Sequence, residues 1–257
     1  MSEQTQADLS TKKQEIRERV WSLMEQKNVA RFPRPIFGRI PNFQGASDAA
    51  ERLRVLPIFV DARVVKVNPD APQRPVREAV LRQRKKLLVP TPRLRSGFLL
   101  IDPVESSGID VGYAATIKGA SRYGKRVRFT NLPKVDLIVT GSVAVCKSGV
   151  RVGKGGGYSE IEYGILKELH LVDDETPVVT TVHELQIVED VPADKHDLVV
   201  DKIVTPIRII DTGNGKRRPQ GIFWDKVTDE MLEQMPILRD LARSEHAQSD
   251  GSRTGRV

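Results

Sequence analysis

The feature that most constrains this chain is an apolar run, a glycine loop and a helix pattern in direct succession. The run Val135-Asp-Leu-Ile-Val-Thr-Gly-Ser-Val-Ala-Val145 is bounded by turn residues and reads as a buried strand. The loop is Arg151-Val-Gly-Lys-Gly-Gly-Gly-Tyr-Ser-Glu160. After it, Ile161, Ile165, Leu166 and Leu169 share one face of a predicted helix, and Ser159 with Glu162 forms an expected capping box. A strand, a glycine turn and a helix start together present backbone N–H groups and a positive helix end to an anion. Arg151 and Lys154 add two cations, so the segment reads as a phosphate cradle. It is neither a G-x-x-x-x-G-K-[ST] loop nor a G-x-G-x-x-G fingerprint. The competing reading is a flexible connector, but such linkers are Gly and Ser without flanking cations and an aromatic. Tyr158 either meets a ligand or packs on the sheet.

With 257 residues, of which 39% are hydrophobic, the chain can bury a sizeable core. No run approaches the ~18 apolar residues of a membrane helix, and the N-terminus lacks a signal-peptide core. A soluble cytoplasmic protein is expected. The single cysteine, Cys146, excludes an intramolecular disulfide and a cysteine zinc cluster, and its place at a strand end reads as packing. The net charge of +7, from 41 basic and 34 acidic residues, suits a polyanionic small molecule. Basic clusters at Arg82–Lys86, Arg122–Arg128 and Lys216–Arg218 read as solvated faces. With aromatics at 5% and no stacking-platform motif, nucleic acid is the weaker reading.

Residues 1–10 are expected to be disordered. Thr11 is the expected N-cap of a helix to Lys27, with Ile16, Val20, Leu23 and Met24 on one face. Prolines between Arg31 and Phe43 impose an extended segment. Helices are expected at Ala46–Leu56, Arg77–Lys86 and Met231–Ala242. Strands are expected at Ala62–Val67, Leu87–Val89, Phe98–Ile101, Val135–Val145, Val178–Thr181, Ile187–Val188, Leu198–Val204 and Ile207–Ile210. A disordered tail follows from Ser244. The alternation predicts one α/β domain over 11–243, a three-layer fold with a mostly parallel sheet and helices on both faces.

Three blocks carry a family resemblance: Lys13-Gln-Glu-Ile-Arg17, Arg151 to Glu160, and Pro192-Ala-Asp-Lys-His-Asp-Leu-Val-Val-Asp-Lys-Ile-Val-Thr205. In type, order and spacing they resemble the 5-formyltetrahydrofolate cyclo-ligase (methenyltetrahydrofolate synthetase) family over roughly residues 11 to 210. The segments F-P-R-P, R-I-P-N-F, V-K-V-N-P-D-A-P-Q and L-L-V-P-T-P-R-L-R narrow it to the methenyltetrahydrofolate synthetase domain-containing branch. The resemblance implies a NagB/RpiA/CoA-transferase-like fold and ATP-driven conversion of 5-formyltetrahydrofolate to 5,10-methenyltetrahydrofolate through an iminophosphate.

By the same resemblance, Lys13 and Arg17 contact the ATP phosphates. Arg151, Lys154, Tyr158 and the amides of Gly153, Gly155, Gly156 and Gly157 line the reacting loop, while Glu160 and Asp197 hold Mg²⁺. Bland alternatives stand beside these: Lys13 and Arg17 as a solvated helix face, Glu160 as a carboxylate answering a helix dipole, and His196-Asp197 as an ordinary turn. The sequence also departs from the family pattern. Ser159-Glu160-Ile161 replaces Tyr-Asp-Arg, and Ala71–Val76 replaces the family's folate-contacting E-x-x-T. The nucleotide half of the site is therefore the better preserved. An alternative is a paralogue that binds ATP and acts on another substrate, thiamin-related in some members, or a non-catalytic binding module.

Overall fold

Alternate residues of the strand Val64–Val67 enter two different cores. Val65 and Val67 pack into one, with Val20 and Met24, Ala50 and Leu53, and Val76 and Val80 from three helices. Val64 joins the other, with Ile165 and Leu166 and with Met235 and Leu238. In this computed structural model, which describes residues 3–106, 108–213 and 218–251, a period of two in the strands thus buries both sheet faces.

Among the described residues the main sheet has eight strands. In spatial order they are Ile209–Asp211, Lys202–Val204, Val178–Thr181, Leu137–Thr140, Val64–Val67, Lys86–Pro90, Phe98–Ile101 and Lys125–Arg126. The five from Lys202–Val204 to Lys86–Pro90 are mutually parallel, and the rest attach antiparallel at the edges. The fold is the expected three-layer α/β arrangement with a mostly parallel sheet. The basic run Arg122–Arg128 supplies one outer strand, Lys125–Arg126. Charged side chains there discourage edge-to-edge pairing with other chains.

Several boundaries differ from expectation. The first helix spans Glu3–Gln26, so the described part of residues 1–10 is helical and Thr11 is not an N-cap. Its hydroxyl donates to the Ala7 carbonyl, and Lys12 pairs with Asp8 at 2.8 Å. Such i,i+4 contacts extend a helix whose packed half supplies the nucleus. The expected strand Val135–Val145 is two strands, Leu137–Thr140 and Ala144–Cys146, separated at Gly141–Val143. The second leaves the main sheet and pairs with Arg151–Val152 and Ile187–Val188. A close approach explains the break: a Cβ on Gly141 would lie 2.9 Å from the Ile40 side chain.

At the C-terminal end Pro236 divides the expected helix into Asp229–Gln234, capped by the Thr228 hydroxyl, and Pro236–Gly251. Residues 244–251 of the expected disordered tail are helical, and 252–257 lie outside the described residues. Of the basic cluster at 216–218 only Arg218 is described. It is buried, donating to the carbonyls of Asp174 and Thr176 and pairing with Asp201. Cys146 is buried, as its strand-end position implied. No helix among the described residues is long and apolar enough to cross a membrane.

Candidate active site

The sheet order contains a reversal. From Val64–Val67 the chain moves one way, through helix Arg74–Arg82 into Lys86–Pro90, and later returns to lay Leu137–Thr140 on the opposite side. The loops after these two strands diverge to opposite faces, opening a crevice at their carboxyl ends, where ligands bind in open α/β sheets. A cleft of about 1270 Å³ lies there, lined by the loop after Val64–Val67, the first helix and the glycine loop. That volume suffices for a nucleotide and a second small molecule together.

The glycine loop is held over this crevice by side chains at both ends. Arg151 is buried and donates from one guanidinium nitrogen to the Gly141 carbonyl at 2.9 Å and from the other to Glu160. It thereby ties the end of a central strand to the start of helix Tyr158–Glu168. Arg17 donates its Nε–H to the Gly153 carbonyl at 2.7 Å and lies along Gly155. The first helix and the loop, far apart in sequence, thus form one wall. Gly155 has φ +102° and Gly157 φ +65°, conformations that side chains resist. A Cβ on Gly156 would meet the Tyr158 ring at 2.8 Å, so Tyr158 folds back over its own loop while still lining the cleft.

The expected capping box does not form. Gly157 is the N-cap, and no side chain caps helix Tyr158–Glu168. Its first-turn N–H groups and positive end therefore have no side-chain acceptor from a cap.

Cations and carboxylates interleave along this wall. Lys13 reaches both oxygens of Asp197, at 2.7 and 2.6 Å, and one of those oxygens also accepts from the Asp194 N–H. Burial pushes the Arg17 pKa down, and the nearby carboxylates of Glu160 and Asp197 oppose that shift. Lys154 touches Asp70 at 3.2 Å with its side chain 43% exposed, so it is free to swing onto a ligand. The structure therefore brings together Lys13, Arg17, Arg151, Lys154, Tyr158, Glu160 and Asp197. Lys13 is buried rather than part of a solvated face. Asp197, expected as a metal ligand, meets the Lys13 ammonium with both oxygens.

Three residues that carry the cleft floor escaped the sequence reading. Lys66 stands mid-strand in Val64–Val67 and is buried. Its ammonium donates to Asn68 Oδ1 at 2.7 Å and to Glu162. Glu162, the residue expected in the capping box, turns instead toward the sheet. Burial raises its pKa; Lys66 opposes the rise, and Asp70 and Glu160 add to it. The legible signal was a lysine inside V-V-K-V, since a charge in a strand covered on both faces needs a buried partner.

Arg77 is the fourth omission. Its guanidinium donates to the carbonyls of Ala115, Asn68 and Asp70, fixing the loop that forms the opposite wall, and burial pushes its pKa down to about 10. Arg77→Leu should destabilise the protein by about 3 kcal/mol, since it leaves these buried carbonyls without their donor. Chemical denaturation would read this as a lower midpoint. The segment Ala71–Val76, which stands where E-x-x-T was expected, is a tight turn running into the start of helix Arg74–Arg82. Beyond it, Phe32 and Tyr113 stand exposed at the cleft mouth.

Comparison with known proteins agrees with this architecture. The sequence profile of the 5-formyltetrahydrofolate cyclo-ligase family matches residues 9–206. The chain is 49% identical over 238 residues to a methenyltetrahydrofolate synthase domain-containing protein of Bos taurus, a match covering 91% of this chain and 62% of that one. The Homo sapiens protein of the same description is 46% identical over 244 residues, covering 93% of this chain and 63% of that one. The chain thus spans less than two thirds of the length of these relatives. The NMR structure of Aquifex aeolicus 5,10-methenyltetrahydrofolate synthetase is similar in fold, with a TM-score of 0.50 at 21% identity, covering 80% of this chain and 95% of that one. Profile, relatives and fold lead to one conclusion: the chain belongs to the 5-formyltetrahydrofolate cyclo-ligase family.

Proposed function

We propose that the cleft binds ATP at its glycine-loop end and uses it to close the ring of 5-formyltetrahydrofolate, giving 5,10-methenyltetrahydrofolate, ADP and phosphate. The observation that carries this reading is the tie between Arg17 and Gly153. It sets Lys13, Arg17 and Lys154 around a helix start that no side chain caps.

A formamide is resonance-stabilised and resists attack by an amine. In the proposed sequence its oxygen attacks the γ-phosphorus and ADP departs. N10 then attacks the activated carbon, the carbon–oxygen bond breaks, and phosphate leaves with the former formyl oxygen and the N10 proton. Little of this requires a protein nucleophile. It requires positioning and fixed positive charge where charge develops on the transferring oxygens. Lys13, oriented by Asp197, and Arg17 would meet the phosphates from the first helix, and Lys154 with the amides of Gly153, Gly155, Gly156 and Gly157 from the loop. Arg151 is a positioning residue that holds Glu160 and the strand end. Tyr158 would cover the reacting groups.

Mg²⁺ is bound in phosphoryl-transfer sites by one or two carboxylates together with the substrate phosphates and water, so no preformed cage is required. Among the described residues no group of three or more acidic, His or Cys ligands exists. Glu160, half-buried at the loop, suits the single-carboxylate role, and the ion would there neutralise charge on the phosphates.

One observation favours a second reading. The turn Ala71–Val76, which runs into the wall opposite the glycine loop, and Ser159-Glu160-Ile161 at the helix start both depart from the family's pattern. A paralogue built this way would activate a different amide oxygen with the same nucleotide end.

The test is the growth of methenyltetrahydrofolate absorbance with Mg-ATP and 5-formyltetrahydrofolate. ATP-dependent growth that falls by about 10²-fold in kcat/KM in Lys154→Ala supports the cyclo-ligase reading, with Arg151→Ala run beside it. No growth from folded protein that still binds ATP would overturn it and favour the second substrate.

A further inference from the structure

The stretch 218–227 lies beyond residue 206, where the match to the family profile ends, yet it is built into the body of the fold. Arg218 anchors its start on the carbonyls of Asp174 and Thr176 and on Asp201. The Ile222 N–H donates to Glu168 at 3.1 Å, and Ile222 enters the second core beside Ile165 and Leu166. A Cβ on Gly164 would lie 2.9 Å from the Gly221 carbonyl oxygen, so the stretch runs directly against helix Tyr158–Glu168. Between these anchors Phe223 is left half-buried, and its ring leaves the helix for the turn Asp194–Asp197.

That turn presents Asp197 to Lys13. Within it the Asp197 N–H donates to the Asp194 carbonyl at 3.1 Å, the Asp194 N–H to Asp197 Oδ2 at 2.7 Å, and the Lys195 N–H to Asp194 Oδ1 at 2.7 Å. Among the described residues these backbone hydrogen bonds stay inside the turn, so its pose is left to side chains. Lys13 holds it on the cleft side through both Asp197 oxygens. Phe223 holds it from behind. The His196 ring meets the Phe223 ring edge to face, with centroids 5.9 Å apart, and the Lys195 ammonium lies 5.5 Å from the Phe223 centroid. One aromatic ring thus grips the two residues that immediately precede Asp197.

We propose that Phe223 is a positioning residue for the nucleotide end, which fixes the Asp194–Asp197 turn and through Asp197 sets where the Lys13 ammonium stands. A small displacement of a charged group far from the reacting atoms is enough to weaken what it serves. The consequence for the nucleotide rests on the ATP reading, whereas the hold on Lys13 stands on the contacts themselves.

The experiment reads Lys13 directly. Wild type, Phe223→Ala, Phe223→Tyr, Asp197→Asn and the double variant Phe223→Ala with Asp197→Asn are treated briefly with an amine-acetylating reagent. Labelling at each lysine is then resolved by peptide fragmentation. Phe223→Ala should raise labelling of Lys13 about three- to tenfold and leave that of Lys66, buried in the sheet, unchanged. Phe223→Tyr, which keeps the ring, should match wild type. In the Asp197→Asn background the loss of Phe223 should add little, because both changes then act on one contact. Unchanged labelling of Lys13, a parallel rise at Lys66, or equal effects of Phe223→Ala in both backgrounds overturns the proposal.

Titration calorimetry with Mg-ATP reads the consequence. Phe223→Ala should weaken binding about three- to tenfold, with little further loss in the Asp197→Asn background. An unchanged affinity, or the same loss in both backgrounds, overturns the proposal. Val227→Ala loosens the same stretch away from the turn and should leave both readouts at wild type; if it moves them as far as Phe223→Ala, the effect is general loosening and the assignment falls. If wild type binds no Mg-ATP, the nucleotide reading falls, and the labelling still decides whether Phe223 holds Lys13. Should Phe223→Ala not fold, Phe223→Leu keeps apolar bulk without the ring. It should raise Lys13 labelling in the same way, and wild-type labelling there overturns the proposal.

Discussion

Replacing Lys66 by methionine is expected to cost about 3–5 kcal/mol of stability, because Glu162 then stays in an apolar interior without its cation. The double change Lys66→Met with Glu162→Leu should recover much of that loss, since the two sites are in direct contact and cannot behave additively. Thermal denaturation of wild type and the two variants would show it, and a double variant no better than the single would refute the account.

The single variant should also acquire a pH dependence. Burial already holds the Glu162 pKa above its ordinary value, Asp70 and Glu160 add to the rise, and Lys66 is the group opposing it. Without Lys66 the carboxyl stays protonated to higher pH in the folded chain than in the unfolded one. The folded state then binds more protons through the interval between the two pKa values, and stability falls as pH rises through that interval. Lys66→Met should therefore melt higher in mildly acidic buffer than in mildly alkaline buffer, and by more than wild type does.

The second large effect is expected at Arg17. Its side chain tethers Gly153, lies along Gly155 and faces the carboxylates of Glu160 and Asp197. Arg17→Ala removes a cation from the proposed phosphate path and also releases the loop. Because charge-assisted hydrogen bonds contribute about 1.5–3 kcal/mol, Mg-ATP affinity should fall by about 10- to 100-fold. The variant should melt close to wild type, since the guanidinium is only half-buried. Arg17→Lys should restore little, because an ammonium cannot hold the Gly153 carbonyl and a phosphate in the same planar fork. Titration of Mg-ATP against the three proteins checks this, and a wild-type affinity in Arg17→Ala would place the phosphates elsewhere.

These two expectations mark different degrees of legibility. Arg17 was readable because it belongs to a short motif with a set spacing from Lys13, and because a helix carries such pairs on one face. The Lys66–Glu162 pair was not. Glu162 stands three residues after Ser159 at the opening of a helix, a spacing that favours a capping box. Local rules cannot know that a lysine 96 positions earlier in the chain waits beneath that helix. Asp197 was legible as a site residue through the resemblance, expected to hold a metal, but its pairing with a lysine 184 positions earlier was not. The buried Lys13 ammonium took both of its oxygens.

By itself the sequence determined the layering and the glycine loop between a strand and a helix. Alternating apolar residues in short strands between helices leave both sheet faces to be covered, and glycines with positive φ between a strand and a helix admit few geometries. The strands Phe98–Ile101 and Val178–Thr181 coincide with their expected limits, because turn residues bound each run. Only the tertiary structure decided where one apolar run breaks into two strands at Gly141, how far the terminal helices extend, and which charges are neutralised. Those outcomes depend on groups distant in sequence meeting in a low-dielectric interior. There a charge must find a partner, and the partner is chosen by topology rather than by neighbouring residues.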